Sequence, residues 1–310
     1  MMKILILLVL IMQLNAEAKD WNIVENLKSE PLTKIKFNDN GMGIALGPRS
    51  NYLYSTDAGL SWKRQYVGTH YPLSDINFTP DGGIVITGYY GTIVYFSKPG
   101  DEFEDWSIDP VFNLGKFTYV NTNTLLVLSQ NSYILRSTDK GESWKAVSII
   151  EHPYLTSIVK VHDKLYLSAY NNDASAIYES SDEGGTWKLI NIFEGEQIWK
   201  LHYDGNKIWA LGSDGLLCNS TDNCLTWNWI NTQTNYSING FVSDKNNIWL
   251  YCILNNERII LNSQDSGANW TEFDRSECQY PGAMFLYQNK LFVAENYNGV
   301  IKWKDISNLK

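Results

Sequence analysis

Five times along this chain the pattern Ser-x-Asp-x-(Gly/Cys)-x-x-Trp returns: STDAGLSW (55–62), STDKGESW (137–144), SSDEGGTW (180–187), STDNCLTW (220–227) and SQDSGANW (263–270). A degenerate copy, SKPGDEFEDW, covers 97–106. The first serines fall at 55, 97, 137, 180, 220 and 263, in steps of 42, 40, 43, 40 and 43 residues. A near-constant period of that length marks one supersecondary unit repeated, and four short strands fit within it. A single active site has no use for five carboxylates one unit apart. Asp57, Asp139, Asp182, Asp222 and Asp265 are therefore read as structural turn residues. Asp accepts hydrogen bonds from its own loop, Gly permits φ > 0, and Trp fills space between neighbouring sheets.

Every unit shares one grammar. An alternating strand such as LSDINF (73–78) or IWKLH (198–202) comes first, and a polar turn such as NDNG (38–41) or TPDG (79–82) follows. A more apolar strand comes next, as in GIVITG (83–88) and IWALGS (208–213), and the third strand leads into the motif, whose Trp opens the fourth. Seven such units accompany only six motif turns. Trp21 lies 41 residues before Trp62, so DWNIV (20–24) reads as a fourth strand lacking its first three, while the last unit, ending in GVIKWKDIS (299–307), lacks its fourth. The termini are thus expected to complete one sheet and close a ring without exposed edges. The fold class expected is all-β, a seven-bladed β-propeller, and 14% aromatic residues suit sheets packed face to face.

The first residues have the form of a secretory leader: basic Lys3, an apolar run from Ile4 to Leu14, then Ala16-Glu17-Ala18. The run is shorter than the ~20 residues a spanning helix needs. We expect a signal peptide over 1–18, one propeller domain over 19–310, and export to the periplasm or the extracellular space. Net charge is −9, unchanged by losing Lys3 and Glu17 with the leader. An acidic chain without Lys/Arg clusters in sequence excludes nucleic acid and anionic membrane surfaces as expected partners. Export permits disulfides, and Cys218 and Cys224, flanking one turn, either pair locally or remain buried thiols. Neither the four Cys nor the four His (70, 152, 162, 202) have metal-ligand spacing, so neither metal nor cofactor is expected. Of four N-x-S/T sequons, those at Asn219 and Asn269 touch the repeated turns, where a glycan would crowd; Asn77 and Asn235 are the others.

The repeated pattern resembles the Asp-box, or BNR, repeat of the sialidase-like propeller superfamily, over nearly the whole mature chain. Two departures stand out: Cys224 replaces the turn Gly, and Pro99 stands where the second copy needs Asp. The Gly-rich stretches GIALGPRSNYLYSTDAGLSW (43–62) and GIVITGYYGTIVYFS (83–97) further resemble the photosystem II stability/assembly factor group. That resemblance implies an exported, non-enzymatic binding protein, here a monomeric scaffold for an envelope or secreted protein partner, although the basic Arg patch typical of the group is not evident. It also implies that the boxes face away from the working surface, which is formed by loops between second and third strands and between blades. Those loops carry the ligand-binding candidates Arg49, Tyr71, Tyr89, Tyr90, Tyr170, Trp199, Tyr280 and Tyr297, whose other reading is rim packing between blades.

The alternative is a glycoside hydrolase of the same superfamily, or a glycan-binding propeller. A sialidase needs several converging Arg, whereas this chain has five in all (49, 64, 136, 258, 275), with Arg136 next to a box. Other glycosidases place two carboxylates roughly 5–10 Å apart. Asp75, Asp173, Glu194, Glu196, Glu277 and Glu295 are the loop acids available, and no catalytic residue is assigned among them.

Overall fold

The structure, a computed structural model, describes residues 21–26, 31–47, 50–130, 132–148, 153–277, 282–296 and 299–309. These hold 28 strands in seven four-stranded antiparallel sheets. Six sheets follow chain order, over residues 34–66, 73–105, 114–148, 154–194, 198–229 and 237–277, and are called blades 1 to 6. Blade 7 joins Ala283–Tyr287, Lys290–Ala294 and Val300–Asp305 to the N-terminal strand Asn22–Asn26, with Asn22 opposite Trp303 and Asn26 opposite Val300. Among the described residues no helix is long and apolar enough to cross a membrane.

The second strand of each blade explains why seven sheets stay together. Leu125–Ser129, Ile84–Gly88 and Ile208–Gly212 are buried at every position, because both faces of each sheet are covered. Alternate residues go to opposite neighbours: Leu125 and Val127 pack with Val85 and Ile93 of blade 2, Leu126 and Leu128 with Leu165 and Leu167 of blade 4. Seven such clusters fill the seven interfaces. At the closing one, Phe37 and Trp62 of blade 1 meet Phe292 and Ile301 of blade 7, with the Phe37 and Phe292 rings 4.6 Å apart.

Each repeated turn is a small hydrogen-bonded unit. Ser55 Oγ accepts the Gly59 N–H (2.8 Å) and donates to Asp57 Oδ1 (2.8 Å). The Asp57 carboxylate then takes the Ser61 N–H (2.9 Å) and hydroxyl (2.6 Å), and the Trp62 indole N–H reaches the Gly59 carbonyl at 3.2 Å. Asp139, Asp182, Asp222 and Asp265 repeat the carboxylate bonds around Ser143, Thr186, Thr226 and Asn269, while the indole bond recurs at Trp144 and Trp270 but not at Trp187 or Trp227. In the degenerate copy Asp101 accepts the Ser97 hydroxyl at 2.7 Å, in place of the acid missing at Pro99.

Cys218 and Cys224 do not form the local disulfide that export would permit: both are free, buried thiols, as is Cys252. They pack as small apolar groups between blades 4 and 5, and burial pushes Cys218 up to about 12. Cys224 adopts φ 64° in the place of Gly, with its N–H held by Ser220 Oγ at 2.9 Å. Box hydrogen bonds and side-chain burial, rather than an S–S bond, hold that loop.

These turns give the fold an acid limit. The Ser61 hydroxyl, chiefly, holds Asp57 down to about 2, and equivalent donors hold Asp139, Asp222 and Asp265 at about 2. A carboxyl depressed below its unfolded value of about 3.9 contributes stability that is present above pH ~4 and lost as pH falls through the folded pKa. We predict a steep loss of unfolding free energy from pH 4 to pH 2 in urea titrations. Asp57→Asn is expected to make that limb shallower.

Candidate functional site

Antiparallel order puts the turns between first and second strands on one side of the ring with the boxes. The second-to-third-strand loops and the interblade loops form the other side. On that second face the structure brings Tyr71 and Tyr90 together, ring centroids 4.6 Å apart, 46% and 52% exposed. Their loop is pinned from both flanks: Tyr89 N–H bonds the Pro72 carbonyl (2.9 Å) and Gly91 N–H the Phe112 carbonyl (2.7 Å). Gly91 has φ 69°, and a Cβ there would sit 2.3 Å from the Ile108 carbonyl oxygen, so only glycine fits. Tyr90 itself holds φ 55°, a conformation that costs a non-glycine residue of order 1 kcal/mol. Tyr89 is half-buried and its hydroxyl accepts from Gln130 at 3.2 Å, so it braces the loop.

A second group lies further round the ring. Tyr170 stacks on Tyr154 at 4.9 Å and meets Trp199 edge-on at 5.8 Å. Tyr154 is 49% exposed and was not among the sequence candidates. Trp199 is half-buried, and its indole N–H has no partner. Between the two groups Phe112 and Tyr133 meet edge-on at 5.9 Å, with Tyr133 and Val111 exposed. Arg49, Tyr280 and Tyr297 lie outside the described residues.

Beneath this face the innermost strands carry charge that the overall acidity conceals. In blades 2 to 6 the first strand shifts register near its start, at Leu73/Asp75, Leu114/Phe117, Leu155/Ser157, Ile198/Lys200 and Ile238/Gly240. Such bulges re-aim side chains. Lys36 of blade 1 donates to Asn77 of blade 2 (2.8 Å) and faces Asp75 at 3.7 Å. Asn77 passes on to the Phe117 carbonyl (2.9 Å), whose residue's N–H bonds Asp75 (3.2 Å). Lys116 of blade 3 donates to Ser157 of blade 4 (3.0 Å), which donates to the Leu201 carbonyl of blade 5 (3.3 Å). Lys200 of blade 5 senses Lys34 and Lys36 of blade 1 and Asp75 of blade 2. Blades 1 and 5 are not neighbours, so this coupling crosses the central channel.

Burial first, and neighbouring ammonium groups second, hold Lys116 well below the ordinary lysine value; the same causes bring Lys200 down to about 8. Burial brings His202 down to about 4, aided by Lys200, so the imidazole is neutral at pH 7. The absence of Lys clusters expected from the linear chain is thus corrected: residues scattered over 167 positions converge in space. The legible signal was a polar residue, often Lys, recurring in the alternating first strand. Asn77 lies within this belt and Asn219 is buried, so two of the four sequons are closed to a glycan in the folded chain.

Two of the six loop acids, Asp75 and Glu295, are tied to other groups, whereas Glu194 and Glu196 both line one groove beside Trp229. Asp75 ties blade 2 to blade 3, as above. Glu295 and Asp274 do approach each other, but around cations at the blade 6–7 interface. Arg258 Nη2 lies 2.7 Å from Asp274 and 3.5 Å from Glu295, and Lys302 Nζ lies 2.7 Å from Glu295 and 3.6 Å from Asp274. Lys302 approaches Glu295 off the hydrogen-bonding direction, so that contact is charge on charge. Arg258 is 1% exposed. Grooves of about 360 and 550 Å³ lie on the outer rim of blades 4 to 6, beside Trp229 and beside Arg275. No group of three or more His, Cys, Asp and Glu is placed to hold a metal among the described residues.

A family model described as the DUF6242 beta propeller domain matches residues 153–289. No curated protein matches the chain. Among solved structures, YCF48 bound to D1 peptide is similar over 93% of this chain and 96% of its own, with 14% identity and a TM-score of 0.72. YCF48 from Cyanidioschyzon merolae matches over 94% and 100%, at 16% identity and TM-score 0.72. Virginiamycin B lyase from Staphylococcus aureus matches over 92% and 99%, at 14% identity and TM-score 0.71. At such identities the likeness shows the fold, a β-propeller, and no more.

The Arg258 cluster also sets a stability prediction. Removing one member of a buried ion group leaves the others uncompensated, at a cost of about 3 kcal/mol. Arg258→Met is expected to lower the unfolding free energy by about that amount in urea titrations, because Asp274 and Glu295 then share only Lys302.

Proposed function

We propose that the chain is a non-enzymatic binding propeller that docks a protein partner on its loop face, in the manner of an assembly or stability factor. The observation that carries this reading is the pairing of aromatic rings on the face opposite the box turns, exposed Tyr71 with exposed Tyr90 and exposed Tyr154 with half-buried Tyr170. Rings held in fixed pairs offer large contact area at little entropic cost, which is what protein hot spots use. Similarity to a propeller solved with a peptide bound supports the same reading. In this proposal residues 1–18 are a signal peptide and the mature domain, residues 19–310, is a monomer working outside the cytoplasm, in the envelope or beyond, and the basic-then-apolar leader supports export. Of the loop acids, Asp75 and Glu295 are engaged by Lys36, Arg258 and Lys302, which weighs against their use as a glycosidase pair.

The test is capture from the native host with a tagged chain at native level, after light crosslinking, followed by mass spectrometry. A single stoichiometric envelope or secreted protein is expected. Tyr71→Ala with Tyr90→Ala should weaken the purified complex by about 1–2 kcal/mol, roughly five- to thirtyfold, without moving the melting temperature by more than a few degrees. Recovery of polysaccharide alone would refute the protein-partner reading and return the glycan alternative.

A further inference from the structure

Asp75 pairs with Lys36 and is the one carboxylate that also acts on Lys116 and Lys200, so Lys34, Lys116 and Lys200 have no ion-pair partner of their own among the described residues. A fold that gathers uncompensated ammonium groups under partial burial works against desolvation and mutual repulsion. Their placement is built into the backbone. Bulges aim Lys116 and Lys200 from blades 3 and 5, and Lys34 joins them from blade 1. Ser157, 2% exposed, gives its proton to the Leu201 carbonyl and so turns a lone pair toward Lys116. The three lysines keep partial solvent access, so the channel between them is reachable.

We propose that the channel between Lys34, Lys116 and Lys200 binds a phosphate-class oxyanion carrying two or more negative charges. Three ammonium groups facing one channel suit a compact, multiply charged tetrahedral anion. A planar carboxylate is better met by the arginine fork, and Arg64, Arg136, Arg258 and Arg275 all stand on third or fourth strands, away from the innermost ones. A singly charged group would also leave the lysines undercompensated. The site lies on the channel wall rather than on the aromatic face, so it does not rest on the protein-partner reading.

Calorimetric titration of the purified chain at constant ionic strength and pH 7 tests this, with inorganic phosphate and glucose 6-phosphate as separate probes. One anion per chain is expected to bind, about tenfold more weakly in K116M and in K200M, undetectably in K116M/K200M, and within a few-fold of wild type in K200R. Because each Lys→Met change removes a charge disfavoured by burial, these variants are expected to melt no lower than wild type without phosphate, which separates lost binding from lost folding. Binding of inorganic phosphate identifies a free anion; binding of the ester alone identifies a phosphate carried on a larger molecule. Absence of binding by either, or equal affinity in wild type and K116M/K200M, overturns the proposal. Tyr71→Ala with Tyr90→Ala should leave phosphate binding unchanged, so failure of the aromatic face and failure of the channel site are distinguishable.

Discussion

Every sheet in this protein has two apolar faces, and the rest of the structure follows from covering both. A second strand buried at every position, such as Ile208–Gly212, is stable only between two neighbours. Each blade therefore requires the next, and the last requires the first. Hydrogen bonding of Asn22–Asn26 to Val300–Asp305 lets the last neighbour be the first without leaving an open edge between them. The box turns act within this constraint: they fix the angle at which a third strand gives way to a fourth. They also deliver Trp62 to the cluster that closes the ring.

Spending apolar surface between the blades leaves the innermost strand edges to polar side chains. There the ring geometry gathers residues about 41 positions apart into direct contact, as in Lys36 with Asn77 and Lys116 with Ser157. Burial first, and then the neighbouring ammonium groups acting through protein rather than water, displace Lys116 and Lys200 from ordinary lysine behaviour. The exterior carries the excess acid of a chain at −9, but salt screens that field beyond roughly 8–10 Å. The channel lysines act at contact distance. The propeller thus has two chemically distinct regions, an aromatic rim and a lysine-lined lumen, on one frame.

Much of this was legible before any coordinates. Period, turn chemistry and the spacing of Trp21 to Trp62 describe a closed seven-bladed ring, because each rests on contacts local to one unit. Tyr71 and Tyr90 were also legible as loop aromatics, though not as a pair. Their pairing arises because the loop carrying Tyr90 is bonded to Pro72, seventeen residues earlier. Cys218 and Cys224 show where the linear view misleads: flanking one turn, they invite a disulfide, yet both thiols turn into the packing between blades 4 and 5. Glu295 reads as a free loop acid until Arg258, 37 residues before it, is found against it. The seventh motif position was overlooked as well, although Ser61, Ser143, Thr186, Thr226 and Asn269 all donate to the box acid.

What the sequence determined by itself is everything of short range. Alternation marks inner strands, continuous apolar runs mark strands covered on both sides, and a repeated turn marks the blade, because those patterns depend on backbone periods of two residues and on neighbours within about 40. What only the tertiary structure decided is which side chains share a site. Lys34, Lys116 and Lys200 belong to three blades and to no motif, and they act on one another because closing the ring sets seven innermost strands around one axis. Charge acts through space rather than along the chain, so an acidic sequence holds a cationic channel.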